Sequence, residues 1–325
     1  MNDNLFQIES EAIRCCLSDF GASIASVHVK DRDGRFIAVA LSRDIFRPGE
    51  TNCGMAGRTI GPCCGRVAGG MAEIDGQRLR LTQNEGENHI HGGPGGVANR
   101  VWQGERLSPT RARFALTLPD GLDGYPGNRR IEAEYAVSGT ALRVRYIAVT
   151  DRPTWLGLTN HAYWDLSGRF DGSALNQRLQ IASERVVFNG AGHLPQAVRP
   201  AEGPFDFRAP RSLREGMGVD PAHPQLALGR GYNNAFLLDS ALAERMGCAA
   251  RLTDPDSGLE LRLRTNQPAL VLYSGGFLGG GATPGCAVAM EAQHVPDPFH
   301  LPGQQPEILR PGETYQCEIE WQFEA

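Results

Sequence analysis

LRVRY at residues 142–146 alternates apolar and charged side chains, and LELRLR at 259–264 and CEIEW at 317–321 repeat the pattern. Successive side chains of a strand point to opposite faces, so this alternation buries one face and leaves the other in water. The pattern is typical of antiparallel strands in a sheet with one solvated side. These three segments therefore predict the central strands of an antiparallel sheet.

Further segments extend the same interpretation along the chain. Turn-forming stretches such as DRDG at 31–34 and DPDSG at 254–258 separate them. Only 240–246 and 211–216 have a helical pattern, which leaves too few helices for the crossovers of a parallel sheet. We expect an all-β fold, a large antiparallel β-sandwich with few short helices, as one domain over residues 1–325. The further strand predictions are 23–29, 36–41, 112–118, 131–137, 178–188, 235–238 and 269–273.

Composition excludes several classes of partner. Lys and Arg number 32 against 37 Asp and Glu, which gives a net charge of −5. Without an excess of positive charge, the composition does not favour binding to nucleic acid or to an anionic membrane. The N-terminus has no basic segment followed by an apolar run, and no apolar stretch approaches the length of a membrane span. The eight cysteines form no Cys-x-x-Cys pair, so we expect reduced thiols, no zinc site and a cytoplasmic protein.

The segment AVAMEAQH at 287–294 places Glu291 inside an apolar run. A buried carboxylate costs several kcal/mol to desolvate unless it pairs or its pKa rises. A carboxylate adjusted in that way is suited to act as a general base. The alternative is that Glu291 is one half of a buried salt bridge.

Three other polar residues interrupt apolar or turn-like surroundings: His161 in TNHAYW at 159–164, His91 in NHIHGG at 88–93, and Arg66 after Gly65. GYNN at 231–234 is a weaker candidate. Together with Glu291 these side chains suit acid–base chemistry on a neutral polar molecule. The carboxylate accepts a proton, one imidazole donates one, and the other groups hold oxygens.

Each of these residues also has a structural interpretation. His161 can be a satisfied core or loop histidine, and Arg66 a solvated turn arginine. His89 and His91 on one strand face can be metal ligands, although no third ligand stands out. Asp165 with Glu291 can form a glycosidase carboxylate pair. The stretch 254–258 is a hairpin turn rather than a calcium loop, because it lacks the distal Glu.

Seven motifs in order resemble those of the aldose 1-epimerases (galactose mutarotases) over nearly the whole chain. The resemblance implies the mutarotase-like supersandwich fold and an isomerase that needs no cofactor. It implies general base Glu291 and general acid His161, sugar-binding Arg66 and His91, and a sugar-hydroxyl position at Asn233. The matching stretches are 19–26 (DFGASIAS), 57–70 (GRTIGPCCGRVAGG), 88–93 (NHIHGG), 120–127 (DGLDGYPG), 158–164 (LTNHAYW), 203–208 (GPFDFR) and 290–297 (MEAQHVPD).

Three positions depart from the family pattern. Gly65 replaces a usual Asn, Asn233 a usual Asp, and Val271 a common Gln, so each changes a hydrogen-bonding group toward the sugar. They leave two alternatives to a mutarotase of a free aldose: a non-catalytic sugar-binding sensor, and a mutarotase of phosphorylated or acidic sugars. The second alternative would recruit additional arginines, for which Arg100, Arg129 and Arg130 are available. We expect a small-molecule sugar as the partner, and a monomer or homodimer.

Residue type also suggests which aromatic side chains flank the sugar. Trp164 and Phe277 are the two expected to offer apolar faces to its C–H side.

Overall fold

The structure is a computed structural model that describes residues 3–42 and 55–325. Cys53 lies outside the described residues. Strands dominate the described chain, and its three α-helices are short. In chain order the strands are β1 (Leu5–Glu9), β2 (Ile13–Ser18), β3 (Ser23–Lys30), β4 (Phe36–Ala38), β5 (Thr59–Ile60), β6 (Arg66–Val67), β7 (Met71–Ile74), β8 (Gln77–Arg80), β9 (His89–Ile90), β10 (Gln103–Ser108), β11 (Arg111–Leu118), β12 (Arg129–Ser138), β13 (Ala141–Thr150), β14 (Thr154–Trp155), β15 (Thr159–Asn160), β16 (Tyr163–Trp164), β17 (Arg178–Ile181), β18 (Arg185–Asn189), β19 (Pro195–Pro200), β20 (Arg211–Ser212), β21 (Asn233–Leu237), β22 (Ala250–Thr253), β23 (Glu260–Thr265), β24 (Ala269–Tyr273), β25 (Val288–Gln293), β26 (Ile308–Leu309) and β27 (Tyr315–Glu324).

The helices are α1 (Leu213–Val219), α2 (Pro224–Gly229) and α3 (Ser240–Met246). Each begins at a side-chain cap: Ser212, His223 and Asp239 accept backbone N–H groups of the first turn. Among the described residues, no helix combines the length and apolar character needed to cross a membrane. Single turns of 3₁₀ helix occur at Ala68–Gly70, Val97–Asn99, Leu122–Gly124, Ser173–Asn176, Ala191–His193 and Gly203–Phe205.

Three antiparallel sheets build the fold. A nine-stranded sheet has the order β10-β11-β12-β13-β27-β23-β22-β17-β20, a six-stranded sheet β16-β25-β24-β21-β18-β19, and a four-stranded sheet β1-β2-β3-β4. The three segments with the clearest alternation, β13, β23 and β27, are neighbours in the middle of the large sheet, as predicted. Their outward Arg and Glu side chains pair across strands, for example Arg145 with Glu318 at 3.3 Å.

The two larger sheets pack face to face as a β-sandwich. Trp164 on β16 of the six-stranded sheet contacts Trp321 and Phe323 on β27, with ring centroids 5.5 and 5.6 Å apart. One continuous cluster of buried side chains joins residues of all three large sheets. The all-β prediction is therefore confirmed, and the second face of the six-stranded sheet remains available for a binding site.

The structure differs from the sequence prediction at three places. Residues 178–188 form two strands rather than one: β17 belongs to the nine-stranded sheet and β18 to the six-stranded sheet. The chain changes sheets at Ser183, whose hydroxyl donates to the carbonyls of Arg185 and Leu237. Helix α2 was not predicted, because six residues are too short for a recognisable period. Helix α1 begins at Leu213, two residues later than the predicted segment.

The tryptophan between the sheets provides a test of this packing. We expect Trp321→Ala to lower the free energy of unfolding by about 3–5 kcal/mol, because it leaves a large void in a buried cluster. Val149→Ala on neighbouring β13 is the control, since that side chain is 42% exposed and should change stability by less than about 1 kcal/mol. Urea unfolding measures both, and equal midpoints would contradict the sandwich packing.

Candidate active site

A cavity of about 940 Å³ opens on the face of the six-stranded sheet that does not pack on the core. Alternate residues of β21, β24 and β25 line it, and the residues between them, such as Leu272 and Met290, belong to the buried cluster. Loops that follow β5, β9, β15 and β18 complete the wall. The volume lies within the range of ligand pockets, about 300–1,000 Å³. All five residues predicted to act at a site line this cavity: Arg66, His91, His161, Asn233 and Glu291.

Glu291 lies on β25, where every residue is buried. Its neighbours Met290 and Ala292 face the core, so the alternation of the strand turns Glu291 toward the cavity. The carboxylate is 3% exposed, and this burial raises the pKa of Glu291 to about 8. Its Oε2 atom has no hydrogen-bond partner among the described residues. Glu291 is thus a buried carboxyl group in the cavity wall, with one oxygen that can still accept a hydrogen bond from a ligand.

His161 enters the cavity from the segment that follows β15. Strand β15 pairs with β5, and His161 continues that ladder: its N–H donates to Arg58 O, and its carbonyl accepts from Gly57 N–H, each at 2.9 Å. Gly57 cannot carry a side chain there, because a Cβ would lie 1.9 Å from Ile24 O. The imidazole stacks on Tyr163 with centroids 4.8 Å apart. Burial lowers the pKa of His161 to about 4, and its Nδ1 atom has no partner among the described residues.

The two groups meet. His161 Nε2 lies 3.6 Å from Glu291 Oε1, too long for a hydrogen bond but short enough for both to contact one small ligand. Burial acts on both in the direction that removes charge, since it raises the pKa of the acid and lowers that of the base. The pair therefore holds one proton at neutral pH and carries no net charge. A buried salt bridge to a permanent cation, the structural alternative for Glu291, is absent from the described residues.

His91 follows β9 in a left-handed conformation with φ of 52°. Gly65 holds it from both sides: the Gly65 N–H donates to His91 Nδ1, and the His91 N–H donates to Gly65 O, each at 3.1 Å. Since Nδ1 accepts a hydrogen bond, the neutral ring carries its proton on Nε2. Burial is the main cause that lowers the pKa of His91 well below its usual value, and the positive charge of Arg66 acts in the same direction. His91 is thus a neutral donor whose ring lies 5.9 Å from that of His161.

Arg66 on β6 has an unexpected partner. Its Nε and Nη2 atoms donate to the two carboxylate oxygens of Glu85, at 2.5 and 2.7 Å. Both side chains line the cavity, with exposed fractions of 21% and 41%. The guanidinium is therefore neither a solvated turn arginine nor an isolated positive charge in the cavity.

The departures from the family pattern have definite places. Val271 pairs with Glu291 across β24 and β25, and with Ala235 across β24 and β21, so an apolar row lies beside the carboxylate. Asn233 lines the cavity at the start of β21, and its carbonyl accepts from the Asn189 side chain at 2.8 Å. Gly65 has φ of 82°, and a Cβ there would lie 3.0 Å from Pro296 Cβ. A larger residue at position 65 would displace Pro296 or break the two hydrogen bonds between Gly65 and His91.

The hydrogen bonds of His89 exclude the interpretation of His89 and His91 as a pair of metal ligands. His89 is buried, with Nδ1 2.6 Å from Thr82 O and Nε2 2.8 Å from Tyr125 OH, so both ring nitrogens are occupied. It shares no strand face with His91, because β9 ends at Ile90. Within residues 3–42 and 55–325 no cluster of three or more ligand-type side chains can hold a metal.

Asp165 is not a catalytic partner of Glu291. Its carboxylate accepts hydrogen bonds from the side chains of Gln177 and Ser167 and from the backbone of Ser167 and Phe170. A fully bonded buried carboxylate of this kind is structural, and it does not line the cavity. The glycosidase pair is therefore excluded. Asp254 likewise belongs to the hairpin turn between β22 and β23.

One prediction about a cavity residue was wrong. Trp164 is fully buried between the sheets, because its neighbour Tyr163 takes the cavity side of β16. Only Phe277 of the two predicted aromatic residues lines the cavity. The arginines considered for an acidic sugar also lie elsewhere: Arg129 donates to Pro119 O, Arg130 pairs with Glu132, and Arg100 donates to Gly95 O.

Comparison with known proteins matches this arrangement to a family. The family model of aldose 1-epimerase covers residues 4–322. This chain belongs to the aldose 1-epimerase family. The aldose 1-epimerase of Escherichia coli K12 is 31% identical over 321 residues, covering 95% of this chain and 91% of that protein. The human galactose mutarotase is 31% identical over 320 residues with the same coverage.

Solved structures agree with the family assignment. An aldose epimerase homologue from C. elegans superimposes with a TM-score of 0.88 at 26% identity over 99% of each chain. Galactose 1-epimerase from Lactobacillus acidophilus gives 0.80 at 26% identity, covering 100% of this chain and 99% of that one. Aldose 1-epimerases are isomerases, and matches of this extent support mutarotase function for the chain.

Sequence reasoning missed several residues that line the cavity. Glu85, Tyr163, His193 and Tyr273 all line the wall. Glu85 and His193 lie in polar loops, where no periodicity separates a binding residue from a solvated one. Tyr163 and Tyr273 alternate with core residues on β16 and β24, so strand alternation combined with the position of Glu291 was the available signal.

Substitution of Gly92 tests the packing of the turn that places His91 in the cavity. A Cβ at Gly92 would lie 2.0 Å from Gly61 O, so Gly92→Ala should lower the free energy of unfolding by about 2 kcal/mol or more. Gly34→Ala is the matched control, because its φ of 77° is similar but nothing lies within 4 Å of the added atom. Thermal unfolding compares the two variants. Equal losses would show that the left-handed conformation alone, and not close packing, requires glycine at position 92.

Proposed function

We propose that this protein is a mutarotase that interconverts the α and β anomers of a free aldose, with Glu291 and His161 as its acid–base pair. One observation carries the proposal. Two buried ionisable groups, each with a side-chain atom that lacks a partner among the described residues, lie 3.6 Å apart in one cavity. Buried polar atoms without partners destabilise a protein, so their presence in a cavity indicates a ligand that bonds to them.

The reaction needs a proton to leave the anomeric hydroxyl while another reaches the ring oxygen. Ionised Glu291 accepts the proton from O1, and protonated His161 donates one to O5, which breaks the C1–O5 bond. The product is the open-chain aldehyde. Rotation about C1–C2 presents the other face of the carbonyl, and closure returns each proton with the roles reversed. Neither a covalent intermediate nor a cofactor enters this scheme.

The proton count of the pair supports this cycle. Burial makes the resting pair a protonated Glu291 and a neutral His161. The reactive form, a carboxylate and an imidazolium, has the same number of protons and the same net charge. Moving one proton between groups 3.6 Å apart, directly or through the sugar hydroxyl, interconverts them. Ring opening takes one proton from the sugar and returns one, so the pair regenerates itself without exchange with solvent.

The other cavity residues position the sugar. His91 offers its Nε2–H, and Arg66 offers the N–H groups that do not contact Glu85, so both can hold ring-side oxygens. Asn233 supplies a polar group at the opposite strand, and Phe277 a half-buried apolar ring. These groups bind both anomers, while only Glu291 and His161 exchange protons with the sugar.

Removing either member of the pair should slow anomeric exchange. We expect Glu291→Gln and His161→Ala each to reduce kcat by about 10²–10⁴-fold, because a positioned acid or base contributes that much. Saturation-transfer NMR over a panel of aldoses measures the exchange rate above that in buffer. Asp165→Asn serves as the control carboxylate, since its group lies outside the cavity.

Two results would contradict the assignment. Undiminished exchange in Glu291→Gln would reject Glu291 as the base. Wild-type exchange no faster than in buffer, together with sugar binding, would favour the non-catalytic sensor instead.

The pKa values also predict a pH profile. Activity requires one proton on the pair, so kcat/KM should be level between about pH 4 and pH 8. Below this interval His161 takes up a second proton while Glu291 is still protonated, and no base remains. Above it Glu291 loses the last proton and no acid remains. Exchange rates corrected for buffer catalysis test this, and a rate that keeps rising above pH 8 would contradict it.

The wider organisation of the enzyme is also a proposal. One buried cluster joins strands from both ends of the chain, which supports a single domain over residues 1–325. Six described cysteines form no disulfide, which supports a reducing compartment such as the cytoplasm: Cys15, Cys63, Cys64, Cys248, Cys286 and Cys317. We propose that the protein is a monomer or a homodimer. Its other partner is a small-molecule sugar, and it binds neither nucleic acid nor a membrane.

A further inference from the structure

We propose that Glu85 determines specificity in this site by making the cavity select uncharged aldoses over aldoses with a carboxylate at C6. The inference deepens the proposed function and rests on it. It concerns a residue outside the acid–base pair, on the cavity wall that holds the ring side of the sugar. Neither Glu291 nor His161 changes its role.

The contact itself is well defined. Nε and Nη2 of Arg66 donate to Oε2 and Oε1 of Glu85, so one edge of the guanidinium matches one carboxylate. Arginine has five N–H donors, and three of them remain on the other edge for sugar oxygens. The pair thus presents hydrogen-bond donors to the cavity without an uncompensated positive charge.

A tight turn keeps Glu85 beside Arg66. The backbone N–H groups of Asn84 and Glu85 donate to Asn88 O, and the Asn88 N–H donates to Glu85 O. The Asn84 side chain bonds both backbone groups of Ile90, which is the residue opposite Arg66 in the β6–β9 pair. The carboxylate is therefore positioned by the same short ribbon that positions the guanidinium, before any sugar enters.

The proposed position of Arg66 at the ring-side oxygens implies that C6 of the sugar lies near this pair. C6 is bonded to C5, which carries the ring oxygen, and Arg66 is the cation assigned to the ring-side oxygens. A carboxylate at C6 would approach Arg66 and lie close to the Glu85 carboxylate as well. Repulsion by Glu85 offsets the attraction by Arg66, and the acid also loses its hydration. A hydroxymethyl group at C6 meets the same donors without that repulsion.

A role in folding alone does not account for the pair. Ion pairs with side chains 21% and 41% exposed contribute little to stability. Arg58 is the other arginine on the described part of the cavity wall; its guanidinium lies over the Phe20 ring at 4.8 Å, and its carbonyl accepts from His161 N–H. Arg58 is unchanged in every variant below, so its effect cancels from their comparison.

The experiment compares two sugars on the same variants. Wild type, Glu85→Gln and Glu87→Gln are assayed by NMR anomeric exchange with D-galactose and with D-galacturonate at low ionic strength. Glu87 is exposed in the same loop and takes part in no ion pair of the described structure, so its variant changes the charge equally. The measured quantity is the ratio of kcat/KM for the neutral sugar to that for the acid.

In Glu85→Gln this ratio should fall about tenfold or more, equivalent to about 1.4 kcal/mol, mainly because galacturonate reacts faster. In Glu87→Gln it should equal the wild-type ratio. Glu85→Asp retains the charge and should keep the ratio within about twofold even if kcat/KM falls for both sugars. Added salt should reduce the difference between wild type and Glu85→Gln.

Several outcomes would overturn the proposal. These are an unchanged ratio in Glu85→Gln, equal efficiency of wild type on both sugars, or a fall in Glu85→Asp as large as that in Glu85→Gln. Failure of the proposed function is distinguishable, because wild type would then accelerate exchange of neither sugar. In that case the ratio of the two dissociation constants, from protein fluorescence titration, decides in the same way.

Discussion

The hydroxyl of Thr159 donates to Ala292 O at 2.7 Å, between residues 133 positions apart in the chain. This contact ties β15 to β25 at the place where His161 leaves one strand and Glu291 lies on the other. The distance between the imidazole and the carboxylate depends on this contact and on the pairing of β16 with β25, since Tyr163 stacks on His161 and lies opposite Ala289. The same register turns Met290 and Ala292 into the core and Glu291 out of it.

Burial of the two ionisable groups costs free energy, which the rest of the fold must offset. Glu291 and His161 are both removed from water, and each keeps one buried atom without a partner among the described residues. Desolvation of this kind destabilises the charged forms and shifts both pKa values toward neutrality of the pair. The large antiparallel core that joins the sheets supplies the compensating burial of apolar surface. A site destabilised in itself but prepared for a ligand is common where function opposes stability.

The cavity has two walls of different chemistry. On one side Arg66, Glu85 and His91 present oriented donors and a balanced charge, while on the other Ala235 and Val271 form an apolar row beside Glu291. Gly65 holds the donor side in place. Because it has no side chain, Pro296 can approach closely and the Gly65 backbone can form two hydrogen bonds with His91. The three residues that depart from the family pattern therefore line the cavity, whereas Glu291 and His161, the proposed acid–base pair, match the pattern.

The sequence by itself determined the all-β class and its central strands, because β13, β23 and β27 alternate with a period that only a half-buried strand produces. It also singled out Glu291, since a carboxylate in an apolar run is costly, and the ordered motifs identified His161, Arg66 and His91. It did not separate β17 from β18, since strand periodicity does not show where a chain passes from one sheet to another. It also placed Trp164 on the wrong face. The pairing of Arg66 with Glu85, the 3.6 Å approach of His161 to Glu291 and the full hydrogen bonding of His89 and Asp165 were decided only by the tertiary structure. The approach of His161 to Glu291 joins distant segments, and strand periodicity carries no information about which segments become neighbours. The bonds of Asp165 lie within one loop, which has no periodicity to interpret.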